Sequence, residues 1–145
     1  MSALLPGFLA YTNGTGNTEV MMVKQKPKAR VLCVCQGGNS RSVHLAYLLK
    51  YQYHMDALAC GYEGNTEDTL WMLCNWADKI AILQACMQNC IPLEFQQKVF
   101  VMDVGPDKYF LPNHELLDLL DTMIRQQMLG IEDANTKGEQ HVDCR

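Results

Sequence analysis

Short apolar runs recur along the middle of the chain and are separated by longer segments in which apolar and polar residues mix. The first run is VLCVC, and three runs of similar length follow it, each ending close to a glycine or a group of polar residues. Continuous apolar runs of this length are typical of strands that are covered on both faces of a sheet. The pattern therefore predicts strands at residues 31–35, 56–60, 79–83 and 99–102.

The intervening segments have apolar residues at three- and four-residue spacing, which is the period of a helix. The clearest of them is HELLDLLDTMIRQQM, which precedes Gly130. Residues 42–53 and the segment after Thr66 have the same spacing, and threonine is a common N-cap residue. Because strands and helices alternate, the sequence predicts an α/β fold, a single doubly wound domain whose four-stranded parallel sheet has helices on both faces.

The two ends of the chain differ from this middle part in composition. Residues 1–29 contain the turn-rich and polar stretches NGTGN and KQKPK around one small apolar patch, and residues 131–145 are polar with mixed charge. A chain of 145 residues has the length of one ordinary domain. The expected organisation is a poorly packed N-terminal arm at 1–29, one domain at 30–130 and a polar tail at 131–145.

Charge and cysteine content narrow the possible functions. The net charge is −4, so we expect no general attraction to nucleic acid or to a membrane, and an anionic ligand needs a local site. No run of about 20 apolar residues that would span a bilayer occurs. The seven cysteines include no metal-type C-x-x-C pair, which favours reduced thiols in the cytoplasm and predicts no metal. His44, His54 and His114 have no metal-like spacing and are expected at the surface or in caps.

The loop after the first strand of the domain carries the most informative residues, C-Q-G-G-N-S-R-S from Cys35. Its two glycines permit left-handed backbone angles, so N–H groups can converge on an anion at the N-terminus of the next helix. Arg41 can bind two phosphate oxygens, and the same positive field favours the thiolate of Cys35, which Ser42 can stabilise. The sequence therefore predicts a nucleophile inside a phosphate-binding loop made of Gln36, Gly37, Gly38, Asn39, Ser40, Arg41 and Ser42.

A phosphatase with a cysteine nucleophile also needs a general acid for the leaving oxygen. Asp103 and Asp107 follow the last predicted strand, in the segment VFVMDVGPDKYFLPN, whose prolines and glycine indicate a shaped loop. Because the carboxyl ends of parallel strands meet at one edge of the sheet, this loop is expected beside the cysteine loop. Both aspartates are therefore candidate acids.

These motifs resemble those of the low-molecular-weight protein tyrosine phosphatases, especially the short bacterial-type members. The family's loop has the pattern C-x-G-N-x-x-R-S after an apolar strand, and its acid lies in an Asp-Pro-Tyr segment before the last helix. Here the loop follows VLCV, and Asp107-Lys108-Tyr109 precedes HELLDLLDTMI. NWADKIAIL is similar to the family's central helix end and strand, so the resemblance runs from about residue 30 to residue 128.

The resemblance implies a protein tyrosine phosphatase that acts on a phosphorylated protein or a small phosphomonoester. It implies that Cys35 attacks phosphorus, Arg41 holds the equatorial oxygens, Ser42 stabilises the thiolate and Asp107 protonates the leaving oxygen. It implies no metal and no organic cofactor.

Three features depart from the family pattern. Gly38 stands where the family has its loop asparagine, and Asn39 comes one position later. Lys108 replaces the proline after the acid, which leaves Asp103 as a substitute acid. The segment that builds the substrate wall in longer relatives is short here, and Tyr62 is the candidate for a reduced wall.

Two alternative functions remain open from the sequence. One is a catalytically inactive module that binds phosphate or phosphoprotein through the same loop. The other is a thioredoxin-linked arsenate reductase, a class with a similar loop that passes electrons to a further cysteine pair. Cys86 and Cys90 are four residues apart and would share one face of an α-helix, so they are the candidates for that pair.

Overall fold

A computed structural model describes residues 8–12, 14, 16, 18–22, 27–110 and 112–130 of the chain. Six strands and three α-helices are found in this part, together with two short 3₁₀ helices at Ala85–Cys90 and Leu93–Lys98. The strands and helices, in chain order, are β1 Phe8–Thr12, β2 Thr18–Met22, β3 Arg30–Cys35, α1 Arg41–Tyr51, β4 Asp56–Gly61, α2 Glu67–Trp76, β5 Lys79–Ile82, β6 Val99–Val101 and α3 His114–Gln127.

The main sheet has four parallel strands in the order β4-β3-β5-β6. The chain passes from β3 through α1 to β4, which lies beside β3 on one side. It then passes from β4 through α2 to β5, which lies beside β3 on the other side. Right-handed crossovers that move in opposite directions place α1 and α2 on opposite faces. Helix α3 contacts α1 and so shares its face. The predicted doubly wound α/β fold is therefore confirmed.

The two central strands form the middle of the core. Residues 31–34 of β3 and residues 80–82 of β5 are fully buried. A strand that is covered by helices on both faces has no side left for polar residues, which explains the uninterrupted apolar runs. Apolar residues of α1 and α3 close one face of the core, among them Leu45, Leu49, Leu116, Leu120 and Ile124.

The helix ends follow the capping signals of the sequence. The Thr66 hydroxyl accepts a hydrogen bond from the N–H of Thr69 at the start of α2, and the Asn113 carbonyl oxygen accepts from the N–H of Leu116 at the start of α3. Helix α1 has no side-chain cap and no acidic residue in its first turn. Its first N–H groups are therefore left for another partner.

The N-terminal region contains a feature that the sequence did not predict. Strands β1 and β2 form a two-stranded antiparallel sheet of their own, separate from the main sheet. The predicted tail at 131–145 lies outside the described residues. Within the described ranges, no helix has the length and apolar character needed to cross a bilayer.

Candidate active site

Two glycines that meet at the carboxyl edge of the sheet shape the loop between β3 and α1. Gly38 has a φ of +73°, and Gly61, the last residue of β4, is the register partner of Cys35. A Cβ atom on Gly61 would lie 2.5 Å from the carbonyl carbon of Gly37, and one on Gly38 would lie 2.4 Å from the amide nitrogen of Gly61. Neither position can carry a side chain while the loop keeps this path.

The sulfur of Cys35 has two hydrogen-bond partners inside this loop. The backbone N–H of Gly38 donates to Sγ over 3.2 Å, and the Ser42 hydroxyl oxygen is 3.1 Å from Sγ. Both partners can donate to a thiolate, because the hydroxyl can turn its proton toward the sulfur. Cys35, Ser40, Arg41 and Ser42 are buried, whereas Gly37 and Asn39 are exposed at the rim of the loop.

The guanidinium group of Arg41 is buried and only partly engaged. Its Nη1 donates to Oε1 of Gln84 over 2.9 Å and to the carbonyl oxygen of Gly105 over 2.7 Å. Its Nε has no hydrogen-bond partner, although Oδ1 of Asp107 lies 3.8 Å away. A buried N–H without an acceptor costs free energy, so an oxyanion that accepts from this nitrogen would be stabilised.

The two candidate acids have different surroundings. Both carboxylate oxygens of Asp103 accept backbone hydrogen bonds, from the N–H of Ala85 over 3.1 Å and from the N–H of Gly105 over 2.8 Å. Within the described part of the chain, Asp107 forms a 3.8 Å ion pair with Arg41 and no hydrogen bond, and its side chain is 42% exposed. Asp103 therefore holds two loops together, whereas Asp107 has a carboxylate available beside the loop arginine.

The segment from 103 to 113, named the acid segment below, is tied directly to the cysteine loop. The Ser40 hydroxyl does not cap α1 but donates to the carbonyl oxygen of Tyr109 over 2.9 Å. The Tyr109 hydroxyl in turn donates to the carbonyl oxygen of Val104 over 2.9 Å. The two loops are thus joined by hydrogen bonds, as expected for loops at one edge of a parallel sheet.

The end of β4 braces the loop from the other side. The N–H groups of Tyr62 and Glu63 donate to the carbonyl oxygens of Cys35 and Gln36, each over 3.1 Å. The Gln36 side-chain amide also donates to Oε1 of Glu63 over 2.9 Å. Burial raises the pKa of Tyr62, and the positive charge of Arg41 partly offsets this. The role of Tyr62 as a substrate wall stays a prediction.

Three other buried free thiols are poor candidates for a nucleophile. Burial raises the pKa of Cys33, and it raises the pKa of Cys60 to about 12 and that of Cys74 to about 11. The raised values keep these three thiols protonated near neutral pH. Among the free thiols that the structure describes, Cys35 is the one whose sulfur has both a backbone N–H and a hydroxyl beside it.

Two details of the sequence interpretation are wrong. Cys86 and Cys90 lie in a 3₁₀ helix, whose three residues per turn do not place positions four apart on one face, and Cys90 is a free thiol. His44, which we expected at the surface or in a cap, is 4% exposed. It precedes the buried Leu48 by four residues and so belongs to the stripe of α1 that faces the core. His54 and His114 are exposed, as expected.

Several residues that support the site had not been identified from the sequence. Gln84 is the second residue after β5, and its buried amide oxygen holds Arg41. Gly61 ends β4, and the buried Gly105 supplies the second carbonyl oxygen for Arg41. All three lie at the end of a strand or shortly after it, at the carboxyl edge of the sheet, and this position was the available signal.

We expect Gly61→Ala to lower the free energy of unfolding by roughly 1–3 kcal/mol, because the new methyl group overlaps the backbone of Gly37 and Gly38. Denaturant unfolding of wild type and variant measures the difference. Gly64→Asn is the matched control, since its Cβ meets nothing within 4 Å and asparagine tolerates the φ of +78°. A Gly61→Ala protein as stable as wild type would show that the loop can move aside.

Comparison with family models, curated proteins and solved structures finds no match to this chain. Among the side chains that the structure describes, no group of three or more histidine, cysteine, aspartate or glutamate residues is arranged to hold a metal ion.

Proposed function

We propose that the chain is a cysteine-dependent phosphomonoester hydrolase, related to the low-molecular-weight protein tyrosine phosphatases. The observation that carries the proposal is the pairing of two features in one loop. The Cys35 sulfur lies between a backbone N–H and a hydroxyl, and the buried Arg41 beside it has an Nε without a hydrogen-bond acceptor. A phosphate ester supplies both the electrophile for the thiolate and the missing acceptor for the arginine.

Binding of the phosphoryl group would use the loop backbone and the guanidinium. Helix α1 begins at Arg41 without a side-chain cap, so its first N–H groups can donate to phosphate oxygens. Gln84 and Gly105 hold Nη1 and so fix the plane of the guanidinium before any ligand arrives. A preorganised donor set stabilises the charge that spreads over the equatorial oxygens in the transition state.

Hydrolysis would proceed in two steps. In the first, the Cys35 thiolate forms a bond to phosphorus while the bond from phosphorus to the leaving oxygen breaks, and the protonated Asp107 gives its proton to that oxygen. In the second, water attacks phosphorus, Asp107 takes a proton from the water, and the sulfur–phosphorus bond breaks. Ser42 donates to the sulfur when it leaves as a thiolate. Inorganic phosphate and the free enzyme are the products.

The substrate would be a phosphorylated protein, with phosphotyrosine as the first candidate, or a small phosphomonoester. A cytoplasmic location fits the nucleophile, because thiols stay reduced there. Among the described residues, the thiols of Cys33, Cys35, Cys60, Cys74 and Cys90 are free, whereas Cys86 is disulfide-bonded, contrary to the expectation that all thiols are reduced.

The test of this proposal is hydrolysis of p-nitrophenyl phosphate by the full wild-type chain. We expect one phosphate released per p-nitrophenol formed, competitive inhibition by vanadate, and no loss of rate in EDTA. A wild type that binds vanadate but releases no phosphate would instead support the inactive binding module. Consumption of reduced thioredoxin in the presence of arsenate would support the reductase.

A further inference from the structure

The imidazole of His44 forms hydrogen bonds with two different parts of the chain. Its Nδ1 is 2.7 Å from the carbonyl oxygen of Ser40, and its Nε2 is 3.1 Å from the backbone nitrogen of Asn113. The side chain is 4% exposed, so neither bond competes with bulk water. Ser40 is the N-cap residue of α1, and Asn113 is the N-cap residue of α3.

The partners determine which ring nitrogen carries the proton. A backbone N–H can only donate, so Nε2 of His44 accepts from Asn113 and is unprotonated. A neutral imidazole then carries its proton on Nδ1, which donates to the Ser40 carbonyl oxygen. The ring therefore acts as a donor toward the cysteine loop and as an acceptor toward the acid segment.

These two bonds complete a set of ties between the loops. The Gly105 carbonyl oxygen accepts from Arg41 near the start of the acid segment, and the Tyr109 carbonyl oxygen accepts from Ser40 in its middle. The bond from Asn113 to His44 fixes its end. Asp107 lies between the first two of these ties, and its exposed side chain forms no hydrogen bond with any residue that the structure describes.

We propose that His44 is a positioning residue that holds the acid segment against the cysteine loop and so sets where Asp107 can deliver its proton. The inference rests on the proposed hydrolase function and deepens it. The bond from Nδ1 to Ser40 supports the cysteine loop, and the bond from Asn113 to Nε2 holds the acid segment, so loss of the second bond alone acts on the acid. Displacement of a general acid slows esters with poor leaving groups more than esters with good ones.

Two variants separate the two bonds of the ring. His44→Asn keeps a donor near the position of Nδ1 but removes the acceptor for Asn113, whereas His44→Gln keeps an acceptor near the position of Nε2. Rates are measured with p-nitrophenyl phosphate, a good leaving group, and with phenyl phosphate, a poor one. His54→Asn is the control, because His54 is exposed and has the positive φ of 55° that asparagine tolerates.

We expect His44→Asn to lower kcat/KM for phenyl phosphate about tenfold and kcat/KM for p-nitrophenyl phosphate by less, because kcat/KM reports the step in which the leaving oxygen departs. His44→Gln should remain within about threefold of wild type. An equal loss with both esters, or an equal loss in the two variants, would show that His44 only supports the fold. A wild type that is inert toward both esters would refute the hydrolase function, and the catalytic role of His44 with it.

A measurement on the wild type keeps the inference testable even where a His44 variant does not fold. Imidazole ¹⁵N chemical shifts report the tautomer directly, and amide exchange reports the protection of the Asn113 N–H. We expect His44 to be neutral with its proton on Nδ1 and the Asn113 amide to exchange slowly. A proton on Nε2 would overturn the inference, because that nitrogen could no longer accept from Asn113.

Discussion

Cys35→Ser should lower the rate of p-nitrophenyl phosphate hydrolysis by at least about 10³-fold and leave phosphate binding intact. Serine has nearly the same shape as cysteine, so the loop amides, Ser42 and Arg41 stay in place to hold the anion. Its hydroxyl is a far weaker nucleophile than a thiolate at neutral pH, so the bond to phosphorus does not form. Steady-state rates measure the loss, and titration with inorganic phosphate by calorimetry measures the binding.

The control for this variant is Cys90→Ser, which removes a half-buried free thiol outside the loop. Its rate should match that of wild type if the reaction is hydrolysis at Cys35. Loss of hydrolysis in both variants would contradict the assignment of the reaction to Cys35 alone. Full activity in Cys35→Ser would remove the basis of the proposed mechanism, because no other free thiol of the described residues has the same pair of donors.

The main elements of the fold were predictable from the sequence because each depends on neighbouring residues. The buried strands β3 and β5 appear as uninterrupted apolar runs, and the N-caps Thr66 and Asn113 stand where the apolar spacing of α2 and α3 begins. Right-handed crossovers place the carboxyl ends of the parallel strands at one edge of the sheet, next to the start of α1. The topology therefore also determines where the loops meet. The placement of Cys35, Arg41 and Asp107 at one edge of the sheet follows from that topology.

The supporting contacts were not predictable, because they join residues far apart in the sequence. Gln84 reaches Arg41 across 43 positions and the Asn113 amide reaches His44 across 69. The spacing of four residues from Leu48 places His44 on the core-facing stripe of α1, but nothing in the local pattern shows that the ring bridges two loops. Likewise, no local signal shows that Gly61 touches the Gly37–Gly38 backbone, since the contact arises only when β4 pairs with β3.

The two aspartates of the acid segment show how the structure separates candidates that the sequence left equal. Asp103 accepts two backbone hydrogen bonds, so it contributes to the stability of the loops. Asp107 accepts no comparable bond and lies beside Arg41. A single substitution, aspartate to asparagine, preserves the shape of the side chain at both positions and removes the proton that a general acid must transfer.

We expect Asp107→Asn to lower kcat for phenyl phosphate by about 10²-fold or more and to leave the free energy of unfolding unchanged. Asp103→Asn should do the reverse. Its amide nitrogen would face a backbone N–H of Ala85 or Gly105, which costs about 1–3 kcal/mol of stability, while kcat stays within a few-fold of wild type. Rates with both esters and denaturant unfolding of both variants give the comparison. If Asp103→Asn loses the rate and Asp107→Asn keeps it, the acid is Asp103. The bond between His44 and Asn113 then lies at the opposite end of the acid segment from the acid, and the positioning role of His44 is wrong.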